Sequence, residues 1–577
     1  MRNRLKELVD QALPELLAEL KLSGVSPKDI RYDIEVPKIK THGDLSVNTA
    51  FQLGRSLKKN PLDIAARFHK ILEKNVEKDR NLKQLVKSIT VEKPGFINFK
   101  FTENSLANQL LEISKGNETF GRSETGKGMK ILIEFVSANP TGPLTIAHGR
   151  QAAIGDTLAR ILTAVGYGVK KEFYLNDSGR QIRLLGQSLL ARYSELCGKK
   201  ASIPEEGYQG EYLIEVAKHL KKEKNGSLLK LNDEDALREA TAYAVKSILD
   251  GIKKDLADAE VVFDEYFSER TLYEKKMVDQ ALEKLKQKGL TYESEGALWF
   301  KSTQFGDDKD RVLRKQTGEY TYLAPDIAYH EYKFQRGFSR LVNLWGPDHH
   351  GYVPRLKAAC EALGHPSKQV AILIVQLATL YRNGVPVRMS TRAGEFVTLR
   401  ELMDEVGVDA ARFFFLMRKV ESHLDFDLEL AKKKSDENPV YYLQYAHARI
   451  SNILAHAHKT VPGTAGTGSQ NLSRNVPGTV QGEVDLSLIR EEEALDLIRK
   501  MLEYPDALKQ AAEYLEPYRV VDYLRELAAL FHKFYTLHRV VSDDRALTKA
   551  RLLLVDCVRM VLRNGLGVLG VSAPAKM

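Results

Sequence analysis

The chain has 577 residues, 43% of them hydrophobic and 28% charged, and carries a formal net charge of +9. That length exceeds what a single core organises and predicts about two to four domains, while the composition excludes a disordered, collagenous or disulfide-stapled chain. The modest positive surplus suits an anionic partner or a mildly basic soluble enzyme, and only the position of the charge decides between them.

The N-terminal stretch "MRNRLKELVDQALPELLAEL" places Leu5, Leu8, Val9, Leu13, Leu16, Leu17 and Leu20 at helical spacing. Asp10, Glu15 and Glu19 interrupt any signal-peptide core. The segment to about residue 117 reads as an α+β domain ending in "SITVEKPGFINFKF", which alternates like an exposed edge strand. The run 114–130, rich in Gly, Ser, Thr and charge, reads as a linker. Then "ILIEFV" (131–136) predicts a strand, Ile154, Leu158, Ile161, Leu162 and Val165 the buried stripe of a helix, and "GYGVKKEFYLND" a second strand. Strand, helix and strand at that spacing form a βαβ crossover with parallel strands.

A polar helical insertion is expected at about 195–290. Strands return at "GALWFKS", "YTYLAPDIAYH", "RLVNLWG" and "QVAILIVQLA" to complete a Rossmann-like doubly wound sheet spanning 118–430. From 431 to 577 the pattern is all-α, interrupted at 460–485 by a stretch almost without large apolar residues and expected to be mobile. No apolar run reaches membrane-spanning length, and even "AILIVQLATLY" (371–381) is too short. Cys197, Cys360 and Cys557 lie far apart with no C-x-x-C pair, which predicts neither zinc nor disulfides and favours a reducing, cytoplasmic setting.

Chemistry concentrates in "FVSANPTGPLTIAHGRQAAIGD", residues 135–156. Ligands of doubly wound sheets bind at the carboxyl ends of the strands, where a helix N-terminus offers free N–H groups to phosphate. Pro140 and Pro143 stiffen the approach loop. Gly142 and Gly149 allow close ligand approach, and the His148 imidazole can donate a hydrogen bond to charge developing on a phosphate. A His-Gly after a strand is, taken singly, a common chance match.

The stretch resembles the ATP-binding signature of class I aminoacyl-tRNA synthetases, and "EFVSANPTGPL" resembles the arginyl-tRNA synthetase family of bacterial type. The second class I signature, a Lys-Met-Ser-Lys loop, has its counterpart in "RMSTRAGEFVTLRELMDEVGVDAARFFFLMR" (388–418). The resemblance continues through "HGDLSVNTAFQLG", "YLNDSGRQI", "VVFDEYFSER", "FGDDKDRVL", "WGPDHHGYVPRLKAA" and "NGLGVLGVSAPAKM", in the family's order.

This resemblance implies an arginine–tRNA ligase. Arginine's carboxylate attacks the α-phosphorus of ATP-Mg to give arginyl-adenylate, and the terminal adenosine 2′-OH of tRNA-Arg then takes the arginyl group; the first step in this family characteristically needs tRNA. It also implies a catalytic set of Thr145, His148, Arg388, Ser390 and Arg392. ATP would lie along Ala138, Asn139, Pro140, Thr141, Gly142, Pro143, Leu144, Thr145, Ile146, Ala147, His148 and Gly149, with Met389. Arginine would meet Glu134, Ser137, Asn139, Tyr322, Asp326 and His350, because planar carboxylates suit the guanidinium fork. Asp326 also fits a helix N-cap within "APDIAYH". In the cluster Asp348, His349 and His350 the two adjacent histidines point in different directions and lack a further partner at ligand spacing, so no metal is expected and the cluster would line the nucleotide and arginine pocket. The helical domain would read the anticodon stem-loop through Lys432, Tyr442, Tyr445 and Met577, and the N-terminal domain would approach the tRNA elbow. The enzyme is expected to be a monomer with no tightly bound cofactor or metal.

The sequence departs from both signatures. Thr145 and Ala147 stand where the first has His and Gly, and Arg388 and Thr391 replace the two lysines of the second. These four changes also fit a synthetase-derived tRNA-binding protein without catalysis, which arginine-dependent ATP–pyrophosphate exchange separates from an active ligase.

Overall fold

The computed structural model describes residues 1–22, 24–37, 39–387, 397–460 and 484–577. A five-stranded sheet forms its centre, in the spatial order 370–374, 340–345, 130–134, 168–175, 265–268, with every neighbouring pair parallel. Strands buried on both faces favour apolar runs such as "ILI" and "RLVNLW", and the helix Ile146–Ala164 makes the crossover between 130–134 and 168–175. Alternation sends Ile131 and Ile133 into the core shared with that helix. Glu134 points to the other face, under the helix Leu323–Gln335.

Three sequence expectations about the catalytic part are corrected. "YTYLAPDIAYH" is not a strand: its latter part opens the helix Leu323–Gln335, whose Leu323, Ala324, Ile327 and Ala328 recur at helical period on a buried face. "GALWFKS" does form a strand, Ala297–Phe300, but in a separate antiparallel sheet with Thr291–Ser294 and Arg311–Arg314. The helical insertion ends earlier than 290, because Glu265–Ser268 is the edge strand of the central sheet.

Towards the N-terminus, helix Arg2–Glu19 packs on helix Pro61–Lys78, beside an antiparallel sheet. "SITVEKPGFINFKF" is a hairpin: Val86–Glu92 is the edge, whereas Phe96–Phe101 lies between it and Leu45–Val47. Helix Glu103–Gly116 leaves that sheet to pack on helices Glu492–Leu502 and Arg545–Leu569 of the helical C-terminal part. Residues after it are docked there too, since Asn564 Nδ2 donates to the Asn117 carbonyl (2.7 Å) and Phe120 stacks on Tyr504. The expected linker is therefore a seam. Ion pairs close the other side, Arg499 with Asp44 (2.6 Å) and Lys40 with Asp496 (2.5 Å). Nearly all of the stretch expected to be mobile at 460–485, residues 461–483, lies outside the described residues. Among the described residues no helix is long and apolar enough to cross a membrane.

Candidate active site

The central strand Lys130–Glu134 ends in a contorted turn. Val136 (φ 67°) and Ser137 (φ 40°) both adopt left-handed backbone, which a β-branched residue accepts only under constraint. Hydrogen bonds supply that constraint: Ser137 Oγ donates to Glu134 Oε1 (3.0 Å) and accepts the Tyr174 N–H (3.1 Å). Nothing in "FVSANP" announces this turn. Beyond it, Asn139 Nδ2 donates to Gln181 (2.8 Å), and the Tyr212 hydroxyl donates to the Thr141 carbonyl (2.5 Å). Tyr212 belongs to the insertion helix Glu211–Lys224, and its ring rests 3.4 Å from where a Gly142 side chain would begin.

Thr145 caps the helix Ile146–Ala164, and its backbone N–H donates to His148 Nδ1 over 3.1 Å. An N–H has no acceptor role, so Nδ1 carries no proton and Nε2 bears the ring hydrogen. The Thr145 hydroxyl lies 3.1 Å from the same Nδ1 and donates to it. Burial lowers the His148 pKa to about 4, so above that pH the ring is a neutral donor through Nε2. Gly149 plays a different part from the one expected: an added Cβ would lie 2.7 Å from Leu399 and 3.2 Å from Phe415. Its bareness serves helix packing rather than ligand approach. Leu399 N also donates to the Leu144 carbonyl (2.8 Å), and Thr145 forms a β-bridge with Thr398. The residues just after the second signature thus brace the start of the first helix. Arg388, Met389, Ser390, Thr391 and Arg392 themselves lie outside the described residues.

A second polar assembly lies across the strand ends. Asn343, Glu134 and Glu172 stand in one row on adjacent strands, with Glu265 next. Helix Leu323–Gln335 lays His330 and Lys333 over that row, and its C-cap residue Arg336 continues them, each three residues apart. Lys333, fully buried, donates to Glu134 (2.5 Å) and Asn343 (3.2 Å), and Arg336 reaches Glu172 with both terminal nitrogens (2.6 and 2.9 Å). His330 Nδ1 donates to the Asp326 carbonyl (2.8 Å), leaving Nε2 to accept from Asn343 Nδ2 (2.8 Å). Buried charges persist only when paired and hydrogen-bonded in this way. Sequence reading missed this network; its signal was Asn343 within the apolar run "RLVNLW" and Lys333 on a buried helix face.

Asp326 is not a helix cap. It stands inside the first turns of Leu323–Gln335 and accepts the Tyr352 hydroxyl at 2.6 Å. Burial raises its pKa to about 7 against the opposing pull of that hydrogen bond, with Glu134 and Glu269 adding repulsion. Tyr322, one turn earlier, is 87% exposed. Asp348, His349 and His350 form an exposed turn beyond the strand Arg340–Trp345. Glu134, Ser137 and His148 thus flank the strand-to-helix turn, with Asp326 on the covering helix.

In the helical C-terminal part, Lys432 is already paired with Glu405 (3.0 Å) and Glu429 (2.9 Å). Tyr442 and Tyr445 both pack on His532, and Tyr441 stacks on Tyr445 with planes 9° apart. Arg449, absent from the sequence reading, lies over the rings of Tyr445 and Tyr535. Met577 is 54% exposed.

A loop at the end of a parallel strand, its helix cap braced by Thr398 and Leu399 just after the second signature, is the construction of a class I aminoacyl-tRNA synthetase. Residues 109–427 match the catalytic domain family "tRNA synthetases class I (R)". Residues 3–101 match the arginyl tRNA synthetase N terminal domain, and 443–577 the DALR anticodon binding domain. The chain is 46% identical to the arginine–tRNA ligase of Syntrophotalea carbinolica, over all of both chains. It is 45% identical to that of Geobacillus thermodenitrificans, over 100% of this chain and 99% of the relative. The fold is shared with Thermus thermophilus arginyl-tRNA synthetase (TM-score 0.74, 22% identity, both chains fully covered). The chain belongs to the arginyl-tRNA synthetase family.

Proposed function

We propose a division of labour by which this ligase of the arginyl-tRNA synthetase family activates arginine with ATP and passes it to tRNA-Arg. The neutral His148 donates Nε2–H to the phosphate oxygens as the arginine carboxylate attacks the α-phosphorus. The observation that carries this reading is the Thr145 N–H on Nδ1, which fixes the tautomer and leaves Nε2–H as the ring's donor. Thr145 gives its own hydrogen bond to His148 and so serves the ring rather than the phosphate. ATP lies along 138–149, and Mg2+ arrives with it, held by phosphate oxygens. Arg388 and Arg392 supply the positive charge of the second signature, flanking Thr391.

For arginine, Glu134 and Asn139 meet the α-amino and carboxylate groups, while Asp326 takes the guanidinium fork and Tyr322 folds over it. On the tRNA side, the Tyr441–Tyr445–Arg449 ladder offers stacking faces and a cation, and the exposed Met577 adds a thioether. Lys432 is supported less, its charge being compensated internally. All three cysteines are free thiols, which suits the cytoplasm, and the enzyme is read as a monomer.

Arginine-dependent ATP–pyrophosphate exchange, with and without tRNA-Arg, tests this function. Exchange that requires both arginine and tRNA is expected. No exchange under either condition, with tRNA binding intact, would leave the non-catalytic tRNA-binding reading. The double variant Arg388→Ala/Arg392→Ala should lose far more exchange than either single variant, or another cation serves the phosphates.

A further inference from the structure

Helix Val408–Leu416, with helix Pro439–Thr460 beside it, holds the segment Leu569–Pro574. Asp409 and Arg412 lie three residues apart at the start of helix Val408–Leu416. Arg412, 3% exposed, directs Nη2 to Asp156 (2.7 Å) and to the Leu569 carbonyl (3.1 Å), and Nη1 to the Ala259 carbonyl (2.8 Å). Asp409 accepts the Ser572 N–H with Oδ1 (2.9 Å) and the Ser572 hydroxyl with Oδ2. Gln444 Nε2 donates to that same Oδ2 (2.7 Å) and to the Ser572 carbonyl (3.1 Å). His447 Nδ1 then donates to the Pro574 carbonyl (2.8 Å). Leu569, Ser572 and Pro574 are pinned in succession, and the exposed Met577 follows.

The other side of this clamp is the catalytic helix. Thr157 Oγ1 donates to the Leu569 carbonyl and Arg160 Nη1 to the Gly567 carbonyl, both at 3.3 Å. These groups cap the C-terminal end of helix Arg545–Leu569, where cations and donors are favoured. Asp156 and Thr157 stand eight and nine residues after His148, about 12 Å along the helix axis. Helix Val408–Leu416 also places Phe415 against Gly149, and it follows helix Leu399–Val406, whose Leu399 N–H donates to the Leu144 carbonyl.

We propose that Asp409 and Arg412 are positioning residues that register the segment Leu569–Met577 against the catalytic helix, so that tRNA held at Met577 raises the turnover of arginine activation. The inference rests on reading that segment as a tRNA contact. The coupling has a physical route: a rigid helix with one end at the nucleotide loop and a charge-assisted joint at the segment that touches tRNA.

The test uses Asp409, which is half-buried, because truncating the core residue Arg412 would disturb folding. Four proteins are compared: the full chain, Asp409→Ala, a chain lacking Ala575–Met577, and the combination. At saturating tRNA, Asp409→Ala should lower pyrophosphate-exchange turnover roughly tenfold, the worth of a hydrogen bond to a charged group. The Michaelis constant for ATP should stay within about twofold. Asp409→Asn, which keeps one acceptor, should recover part of the turnover, and the combination should be no slower than the truncation alone. A merely tethering role would move only the Michaelis constant for tRNA; unchanged turnover at saturating tRNA therefore overturns the proposal, as do effects that multiply in the combination. If truncation leaves arginylation unaltered at every tRNA concentration, the tRNA-contact reading falls first and the clamp with it. If truncation is harmful and Asp409→Ala is silent, only the clamp falls.

Discussion

The backbone N–H of Thr145 donates to Nδ1 of His148, three residues into the helix it caps. This one bond sets which imidazole nitrogen carries the proton, and therefore which role the ring can play. A histidine whose Nδ1 is occupied as an acceptor, and whose protonation is opposed by burial, is a donor that does not titrate near neutrality.

His148→Ala should lower pyrophosphate-exchange turnover about a hundredfold or more, the usual cost of one preorganised donor to a developing charge. ATP binding should weaken much less. Thr145→Ala should be milder, since its hydroxyl faces His148 and its N–H survives the change. The sign of the pH effect follows from a pKa lowered from 6.5 to about 4: the folded state prefers the neutral ring, and stability from this group is lost as pH falls from about 6.5 towards 4. Turnover of the unaltered enzyme between pH 5.5 and 8, about the range in which unperturbed histidines titrate, should show no inflection that His148→Ala removes. Equal losses in the two alanine variants would contradict the assignment.

Tyr212 bridges the insertion to the nucleotide loop through the Thr141 carbonyl. Tyr212→Phe keeps the ring against Gly142 and removes only the donor. A net loss of about 1 kcal/mol, or roughly fivefold in the Michaelis constant for ATP, is expected with turnover nearly unchanged. The Michaelis constant for arginine is the internal control, and an equal change there would point to general loosening.

Much of this arrangement was legible beforehand, and the boundary is physical. The βαβ unit was readable because apolar runs and helical stripes each have their own period, and the site because ligands gather where such strands end. The helix Leu323–Gln335 is not legible in the sequence, because "YTYLAPDIAYH" packs aromatic and apolar residues densely enough to mimic a buried strand, an ambiguity of short apolar runs. The strained Val136–Ser137 turn and the row Asn343–Glu134–Glu172 were out of reach. Both depend on strand register, which is fixed only when distant segments meet. The role of Gly149 was misjudged for the same reason, since its neighbours Leu399 and Phe415 lie about 250 residues away along the chain, brought close by close packing of the interior.

Lys333 offers a test of that register. Its ammonium is wholly buried and shared between Glu134 and Asn343. Lys333→Met has similar length but leaves the Glu134 carboxylate without its partner, and breaking a buried pair costs about 3–5 kcal/mol. A marked fall in melting temperature is expected. The double variant Lys333→Met/Glu134→Gln should recover stability without recovering arginine activation. If the single variant melts with the unaltered enzyme, the pair contributes little to the fold.

Asp326 makes the most direct prediction about substrate. Burial raises its pKa from 3.8 to about 7, so near neutrality the free enzyme holds it partly protonated. A guanidinium needs the carboxylate, because only the ionised group accepts both arms of the fork. If Asp326 takes the guanidinium as proposed, arginine binding releases a proton at and below pH 7. The Michaelis constant for arginine should rise about tenfold between pH 8 and pH 6, following the fraction ionised around a pKa near 7. The stability sign is opposite to that of His148: the folded state holds this proton more tightly than the unfolded chain, so rising pH between about 4 and 7 removes stability. Asp326→Asn keeps the size and the Tyr352 contact, loses the charge, and should both weaken arginine and flatten its pH dependence. Lysine should gain relative to arginine in that variant, because a point-charge ammonium never used the fork. Calorimetric titration with arginine in two buffers of different ionisation enthalpy measures the proton directly. Binding with no proton exchange at pH 6.5, in a site whose affinity is indifferent to Asp326→Asn, would remove Asp326 from the arginine pocket.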